Sequence, residues 1–242
     1  MLANNESGAL QPVREVAVYC RLHGILCFTD AAQAAGKVSV RLPEIGGPDM
    51  VTIVGHKLGA PKGIACLYVR PGILDKASPL LHGGGQEFGW RGGTENVPYI
   101  VGLGVAAARA AAKLRRNQQQ LETLRTRLLQ RLNNDSLGDG SMVVHGPQDK
   151  SQRLPNTLSV GFQGIQSGAL LQSLRRQVAA SAGATCHAAG PISAVLRAMH
   201  IPDNIARGTV RLSLGPSTTA DEVDRAAELL LRAVERQRAG GK

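Results

Sequence analysis

A histidine followed directly by a lysine, His56-Lys57, stands just past Thr52-Ile53-Val54-Gly55. The apolar run Met50 to Val54 stops at a glycine, and Gly59, Pro61 and Gly63 follow the lysine. A buried strand that ends in a glycine turn sets the next side chains at the carboxyl edge of its sheet, which is where α/β proteins bind ligands. An amine so placed can form a Schiff base with an aldehyde. The competing reading is a solvated lysine in a turn. A second candidate lies upstream, where the strand-like run Ile25-Leu26-Cys27-Phe28-Thr29 ends at Asp30 and Ala31-Ala32-Gln33 follows. A carboxylate there can hold a pyridinium nitrogen. Its competing reading is a helix N-cap, with Gln33 at capping-box spacing.

An aldehyde-binding lysine and a pyridinium-binding acid are the two groups that pyridoxal 5'-phosphate (PLP) requires of a protein. Other stretches suit the same chemistry. His82-Gly83-Gly84-Gly85-Gln86-Glu87 and Arg91-Gly92-Gly93-Thr94-Glu95-Asn96 are glycine-rich loops. Glycines let backbone approach a phosphate, and Thr94 adds a hydroxyl donor. Cys186-His187 lies in a loop of small residues, Ser181-Ala182-Gly183-Ala184-Thr185. A thiol in such a loop can attack and carry sulfur away, and a neighbouring histidine helps make the thiolate. Arg211, in the strand-like run Thr209 to Leu214, can clamp a carboxylate in bidentate fashion. An inert loop cysteine and an ordinary edge-strand arginine are the respective alternatives.

The elements that position these groups follow a simple order. Up to about residue 105, short apolar runs alternate with short helical segments such as Pro12 to His23, with Gly and Pro between them. That pattern predicts α/β organisation with a mainly parallel sheet. Ile64 to Val69 reads as a further strand. Val101 to Leu132 reads as one long helix, with leucines at 114, 121, 124, 128 and 132 near a 3.6 period. Asn133 to Asp149 reads as a linker-like turn region. Beyond it, strands are predicted at Leu158–Phe162, Val178–Ala180 and Thr209–Leu214, and helices at Gly168–Arg176 and Ser193–Met199. The last helix starts at Thr219, with Glu222 at capping-box spacing. The expected division is residues 1–112, a portion of a large PLP-binding domain, and residues 113–242, a connecting helix with a small α+β domain.

Composition narrows the classes. Aromatics make up 3% of the 242 residues, too few for base-stacking platforms. The net charge of +10 concentrates in Lys113 to Arg131 and Arg225 to Arg238, where it alternates with apolar residues as on solvated helix faces. A nucleic-acid binder is the rival that this charge suggests, but no basic-region or RNA-binding signature accompanies it. The cysteines at 20, 27, 66 and 186 lack metal-site spacing, and the first three sit among apolar residues and read as core. No metal is expected. A reducing, cytoplasmic setting is expected, since neither a signal peptide nor a transmembrane stretch is visible.

Taken together, the motifs resemble the cysteine desulfurases and selenocysteine lyases, PLP enzymes of the class V aminotransferase type with fold type I. The matching segments are Ala3-Asn4-Asn5-Glu6-Ser7-Gly8, Thr29-Asp30-Ala31-Ala32-Gln33, Gly55-His56-Lys57, the two glycine loops, Arg153-Leu154-Pro155-Asn156-Thr157, Gly183-Ala184-Thr185-Cys186-His187 and Arg211-Leu212-Ser213-Leu214-Gly215. The resemblance implies that Lys57 holds the cofactor aldehyde as a Schiff base and later moves the Cα proton. It implies Asp30 on the pyridinium nitrogen, Gln33 on the phenolic oxygen, His56 on the phosphate and Thr94 on the phosphate of a partner subunit, hence a homodimer. Asn5 and Arg211 are implied as the substrate-carboxylate pair, and Cys186 as the thiol that becomes a persulfide. L-cysteine or L-selenocysteine would yield L-alanine, with the sulfur passed to an acceptor protein, as in iron–sulfur cluster assembly.

Departures from the family pattern sharpen these expectations. The chain opens at the Asn4-Asn5-Glu6 segment, so it is expected to lack the start of the large domain, with its phosphate loop and ring-stacking histidine. Val54 stands where many relatives have a serine. The alternative is therefore a catalytically inactive form that serves as a dimerisation or scaffold partner. Such a truncation is expected to expose apolar sheet edge and to make the chain poorly soluble in isolation.

Overall fold

The computed structural model describes residues 1–133, 140–182 and 192–240. The chain divides into two compact units. One comprises Met1–Ala3 and Leu10–Leu114, the other Asn4–Ala9 and Arg115–Lys242.

The first unit is built on α1 (Val13–Leu22), β1 (Phe28–Asp30), β2 (Met50–Val54) and β3 (Ala65–Val69), in the sheet order β1-β2-β3. β1 runs parallel to β2, with Asp30 opposite Thr52, and β3 runs antiparallel to β2, with Ala65 opposite Val54. Residues 55–64, opening with a turn at Gly55, join β2 to β3 and reverse the chain into an antiparallel neighbour. Gly55 is fixed at that turn because a Cβ there would fall 2.8 Å from both the side chain and the carbonyl of Ile64.

α2 (Val97–Leu132) is a 36-residue helix, begun four residues before the apolar period suggests. The division between the units falls within it, at Leu114/Arg115. Its first turns leave Val97, Ile100, Val101 and Val105 exposed, and its later turns bury Leu121, Leu124, Leu128 and Leu132. By length and composition α2 could cross a bilayer, with an 18-residue window of mean hydropathy 1.3, although no transmembrane stretch was expected. A helix whose apolar side meets other polypeptide has the same composition.

The second unit stacks α2 and α6 (Ala220–Gly240) on a sheet of β4 (Met142–His145), β5 (Thr157–Phe162), β7 (Thr209–Ser213) and β6 (Ser181–Ala182), in the order β4-β5-β7-β6, all pairings antiparallel. Every residue of β5 is buried. Leu158, Val160, Phe162, Val210 and Leu230 lie in one continuous core with Leu124, Leu128 and Leu132 of α2 and with Leu170 and Leu174 of α3 (Ser167–Leu174). α4 (Ala194–Ala198) and α5 (Asp203–Ala206) make a satellite cluster around Leu196 and Ala206. The Thr219 capping box forms as expected: Glu222 Oε2 accepts from Thr219 N at 2.8 Å, and Thr219 Oγ1 accepts from Glu222 N at 3.2 Å.

Three expectations are corrected. Cys66 is exposed rather than core, because the first three residues of β3 are left uncovered among the described residues. β4 arises inside the stretch read as a linker. Arg125, read as part of a solvated face, is buried at 4% exposure, its Nε donating to Thr157 O at 2.7 Å.

Candidate active site

In the first unit the parallel β1–β2 pair sends two chain segments out at one edge. Ala31 N donates to Thr52 O at 2.9 Å, so the strands stay paired up to the point where Asp30 leaves the sheet. Asp30 is exposed, and its Oδ1 accepts from Ala32 N at 2.7 Å. That bond is the capping role expected of an aspartate at the head of a turn, and Oδ2 takes no further hydrogen bond among the described residues. Gln33 sits half-buried in the turn 32–37, which is held by Ala35 N to Ala31 O and Val38 N to Ala34 O.

β2 ends in a one-turn 3-10 helix, Gly55–Lys57, closed by Leu58 N donating to Gly55 O at 2.9 Å. It presents His56 and Lys57 to solvent. The amine and the carboxylate therefore emerge from the carboxyl ends of two hydrogen-bonded parallel strands, the edge at which open α/β sheets take ligands. The donor set fits PLP in chemical kind, with an amine for the aldehyde, a carboxylate for a ring nitrogen, and further hydrogen-bonding side chains in Gln33 and His56.

The glycine loops meet backbone to backbone. Gly92 N donates to Leu81 O at 2.7 Å, and a Cβ on Gly92 would lie 2.5 Å from His82 O. Gly93 N donates to Gln86 Oε1 at 3.2 Å. Thr94 follows, exposed, and makes no hydrogen bond among the described residues to the groups at the β1–β2 edge.

In the second unit, Asn5 and Arg211 are brought together. Arg211 Nη1 donates to the backbone O of Asn5 at 2.6 Å, and Nη2 to Ser181 Oγ at 3.0 Å. Its Nε is buried without a partner among the described residues. Cys186 and His187 lie outside the described residues.

Two neighbours went unread in the sequence. Ser181, which opens the small-residue loop, steadies Arg211. Lys37, at the end of the Gln33 turn, donates from Nζ to Lys57 O at 3.4 Å. Burial, and after it the charge of Lys57, lower the ammonium of Lys37 to a pKa of about 8. Its only sequence signal is its place directly after Gly36, whose Cβ would fall 2.8 Å from Leu58 Cδ2.

A lysine and an acid at the carboxyl edge of a parallel strand pair, followed by an α+β unit, define the class of PLP enzymes of fold type I. The sequence profile described as Aminotransferase class-V matches residues 1–226, and the chain belongs to that family. It is 43% identical over 235 residues to a cysteine desulfurase of Gluconacetobacter diazotrophicus, covering 95% of this chain and 56% of that one. It is 43% identical over 230 residues to the cysteine desulfurase NifS of Azotobacter vinelandii, covering 93% and 54%. A solved structure titled NifS-like protein superposes with a TM-score of 0.82 at 35% identity, covering 98% of this chain and 60% of that one. The chain thus spans a little over half the length of the curated relatives it matches.

Proposed function

We propose that this chain is the lysine-bearing part of a cysteine desulfurase, which removes sulfur from L-cysteine and leaves L-alanine. The observation that carries this reading is the delivery of Asp30 and Lys57 at one edge by the β1–β2 pair, in a chain whose relatives are named cysteine desulfurases. PLP, when bound, supplies an electron sink for charge left at the substrate Cα. Lys57 is assigned the cofactor aldehyde and, as an amine, the proton at Cα. Asp30 is assigned the ring nitrogen, Gln33 the phenolic oxygen and His56 the phosphate. Thr94 is assigned the phosphate held by a second copy, making the working unit a homodimer. Arg211, whose Nε has no partner among the described residues, and Asn5 are assigned the substrate carboxylate. The thiolate of Cys186 takes the sulfur as a persulfide. As the S–S bond forms, the C–S pair stays on Cβ, which is protonated to the methyl group of alanine. The persulfide sulfur then passes to an acceptor protein, in a cytoplasmic setting.

L-selenocysteine is the second substrate, suggested by the Cys186-His187 pair. A second reading, a non-catalytic dimerisation partner, is favoured by one observation: the large hydrophobics that lie exposed among the described residues all fall between Met1 and Val105. An absorbance spectrum of the purified chain incubated with PLP, beside Lys57→Ala, separates the two. The desulfurase reading expects a protein-dependent change in the cofactor band that Lys57→Ala abolishes, followed by sulfide release from cysteine in excess of selenide release from selenocysteine. Identical spectra for the two proteins would discard it in favour of the partner reading.

A further inference from the structure

Asn4 has no part in the roles assigned above, yet it controls a bond on which Arg211 depends. Its Oδ1 accepts from Glu6 N at 2.9 Å, from Ser7 N at 2.9 Å and from Ser7 Oγ at 3.2 Å. The Glu6 N–H belongs to the same peptide group as the Asn5 carbonyl. That group is planar and trans, so its N–H and C=O point opposite ways. With the N–H turned toward the Asn4 side chain, the carbonyl faces away from it, and there it accepts from Arg211 Nη1 at 2.6 Å. The turn itself is seated in the second unit. Gly8 N donates to Asn4 O at 3.1 Å, Leu154 N donates to Gly8 O at 2.8 Å, and a Cβ on Gly146 would fall 2.7 Å from Ser7 O. We propose that Asn4 is a positioning residue for Arg211: by fixing the Asn5–Glu6 peptide it aims the Asn5 carbonyl at Nη1, and so sets the plane in which the guanidinium meets a carboxylate. The proposal rests on Arg211 taking the substrate carboxylate in the desulfurase reading, and it names a group which that reading does not use.

The surroundings of Arg211 agree with this. Its cross-strand neighbours on β5 and β6 are Ser159 and Ser181, both uncharged. Ser181 Oγ accepts from Nη2 at 3.0 Å, so the two ends of the planar fork are tied to different segments of chain. Among the described residues no carboxylate pairs with Arg211. Both acceptors are neutral, so the cation is oriented without being neutralised. An anion that reaches it competes with no resident acid, and each Nη carries a second N–H to offer.

Phenylglyoxal labelling of Arg211, read by peptide mass spectrometry and normalised to the exposed Arg176, tests this on the full chain without cofactor or turnover. A guanidinium held at both Nη atoms should react slowly. In Asn4→Ala the peptide is free to turn, and Arg211 labelling should rise about three- to tenfold, the worth of one hydrogen bond. Asn4→Asp keeps an acceptor for Glu6 N and should restore the unaltered rate. Ser7→Ala loosens the same turn without touching the Glu6 N bond, and it should also label at the unaltered rate. L-Alanine, as the probe carboxylate, should protect Arg211, and the concentration for half protection should rise by the same factor in Asn4→Ala. Equal labelling of Asn4→Ala and the unaltered chain would overturn the proposal. So would a rise in Ser7→Ala as large as that in Asn4→Ala, since general loosening of the turn would then account for both. Should Asn4→Ala not fold, Asn4→Gln, whose longer side chain carries its oxygen off Glu6 N, faces the same expectation and the same refutation. A labelling difference without protection by L-alanine in any of these proteins would discard Arg211 as the carboxylate site of the desulfurase reading, while the hold of Asn4 on it would stand.

Discussion

Glu122 carries the charge balance of a buried cluster, and replacing it with glutamine should destabilise the second unit more than any exposed ion pair would. Arg153 is 7% exposed and makes a two-pronged contact with Glu122, Nη1 to Oε2 at 2.8 Å and Nη2 to Oε1 at 2.6 Å. Arg125 lies beside it, 4% exposed, bonded to Thr157 O. Burial, and after it the charge of Arg153, lower Arg125 to about 10, against the pull of Glu122. Two guanidinium groups thus share one carboxylate. Leaving a buried charge without its partner costs about 3–5 kcal/mol. The Glu122 side chain keeps 27% of its surface in water, which screens the pair and brings the cost below that range, to about 2–3 kcal/mol. Urea denaturation followed by circular dichroism should show the midpoint falling by about 1–1.5 M, with the slope unchanged. Glu122→Gln combined with Arg153→Met should recover part of the loss, because one of the two unbalanced charges goes with it. A change of less than about 0.5 kcal/mol in Glu122→Gln, the range of an ordinary surface substitution, would refute the reasoning.

The core should also respond to acid through His145. Its Nε2 donates to Thr209 Oγ1 at 3.0 Å, because that hydroxyl itself donates to Ile205 O, and its Nδ1 is buried without a partner among the described residues. Burial lowers its pKa below the ordinary 6.5. The unfolded chain therefore binds the proton more readily, and stability should fall as pH drops below about 6.5, by up to about 1.4 kcal/mol per pH unit. Urea midpoints taken at several pH values should show this slope, and His145→Gln should flatten it; equal slopes would reject the assignment. Gly208→Ala should be severe, since its Cβ would fall 2.0 Å from Phe162 O, against backbone that cannot rotate away. A loss of about 3 kcal/mol or more is expected, whereas Gly104→Ala, with open space around it in α2, should be neutral or stabilising by up to about 1 kcal/mol. Equal thermal midpoints for the two variants would contradict the packing described at Gly208.

Much of this was legible in the sequence because the deciding signals are local. The run Met50 to Val54 gave a strand with the same bounds, the Thr219–Glu222 spacing marked the start of α6, and Ser193 caps α4 by accepting from Val195 N at 3.0 Å. What escaped depends on distant partners. Met142–His145 is a strand because β5 lies beside it, and four residues between glycines carry too little pattern to announce one. Arg125 is buried because Thr157 O waits for it, although its spacing of four from Leu121 already placed it on the apolar stripe. Cys66 follows β-strand composition faithfully, and composition cannot say which faces receive a covering layer. At the site, Asp30, Gln33, His56 and Lys57 were singled out by residue type and turn position, and the structure sets Asp30 and Lys57 at the ends of two paired strands. Lys37 was not, because its reach to Lys57 is a property of how two turns pack.

The placement of Asn4–Ala9 in the second unit has a consequence for how the chain is made. Leu154 N bonds to Gly8 O, Ala9 pairs with Arg153, and Arg211 holds Asn5 across 206 positions of sequence. A ribosome releases Asn5 long before Arg211, and at about 5–20 residues per second the interval is about 10–40 s. During it the first unit can close locally, while the short segment that the second unit needs must wait undocked. Long-range contacts of this kind slow folding, because the loop they close has to be ordered before it is rewarded. β7 therefore completes a pairing that Asn5 has held open while the intervening 206 positions were made.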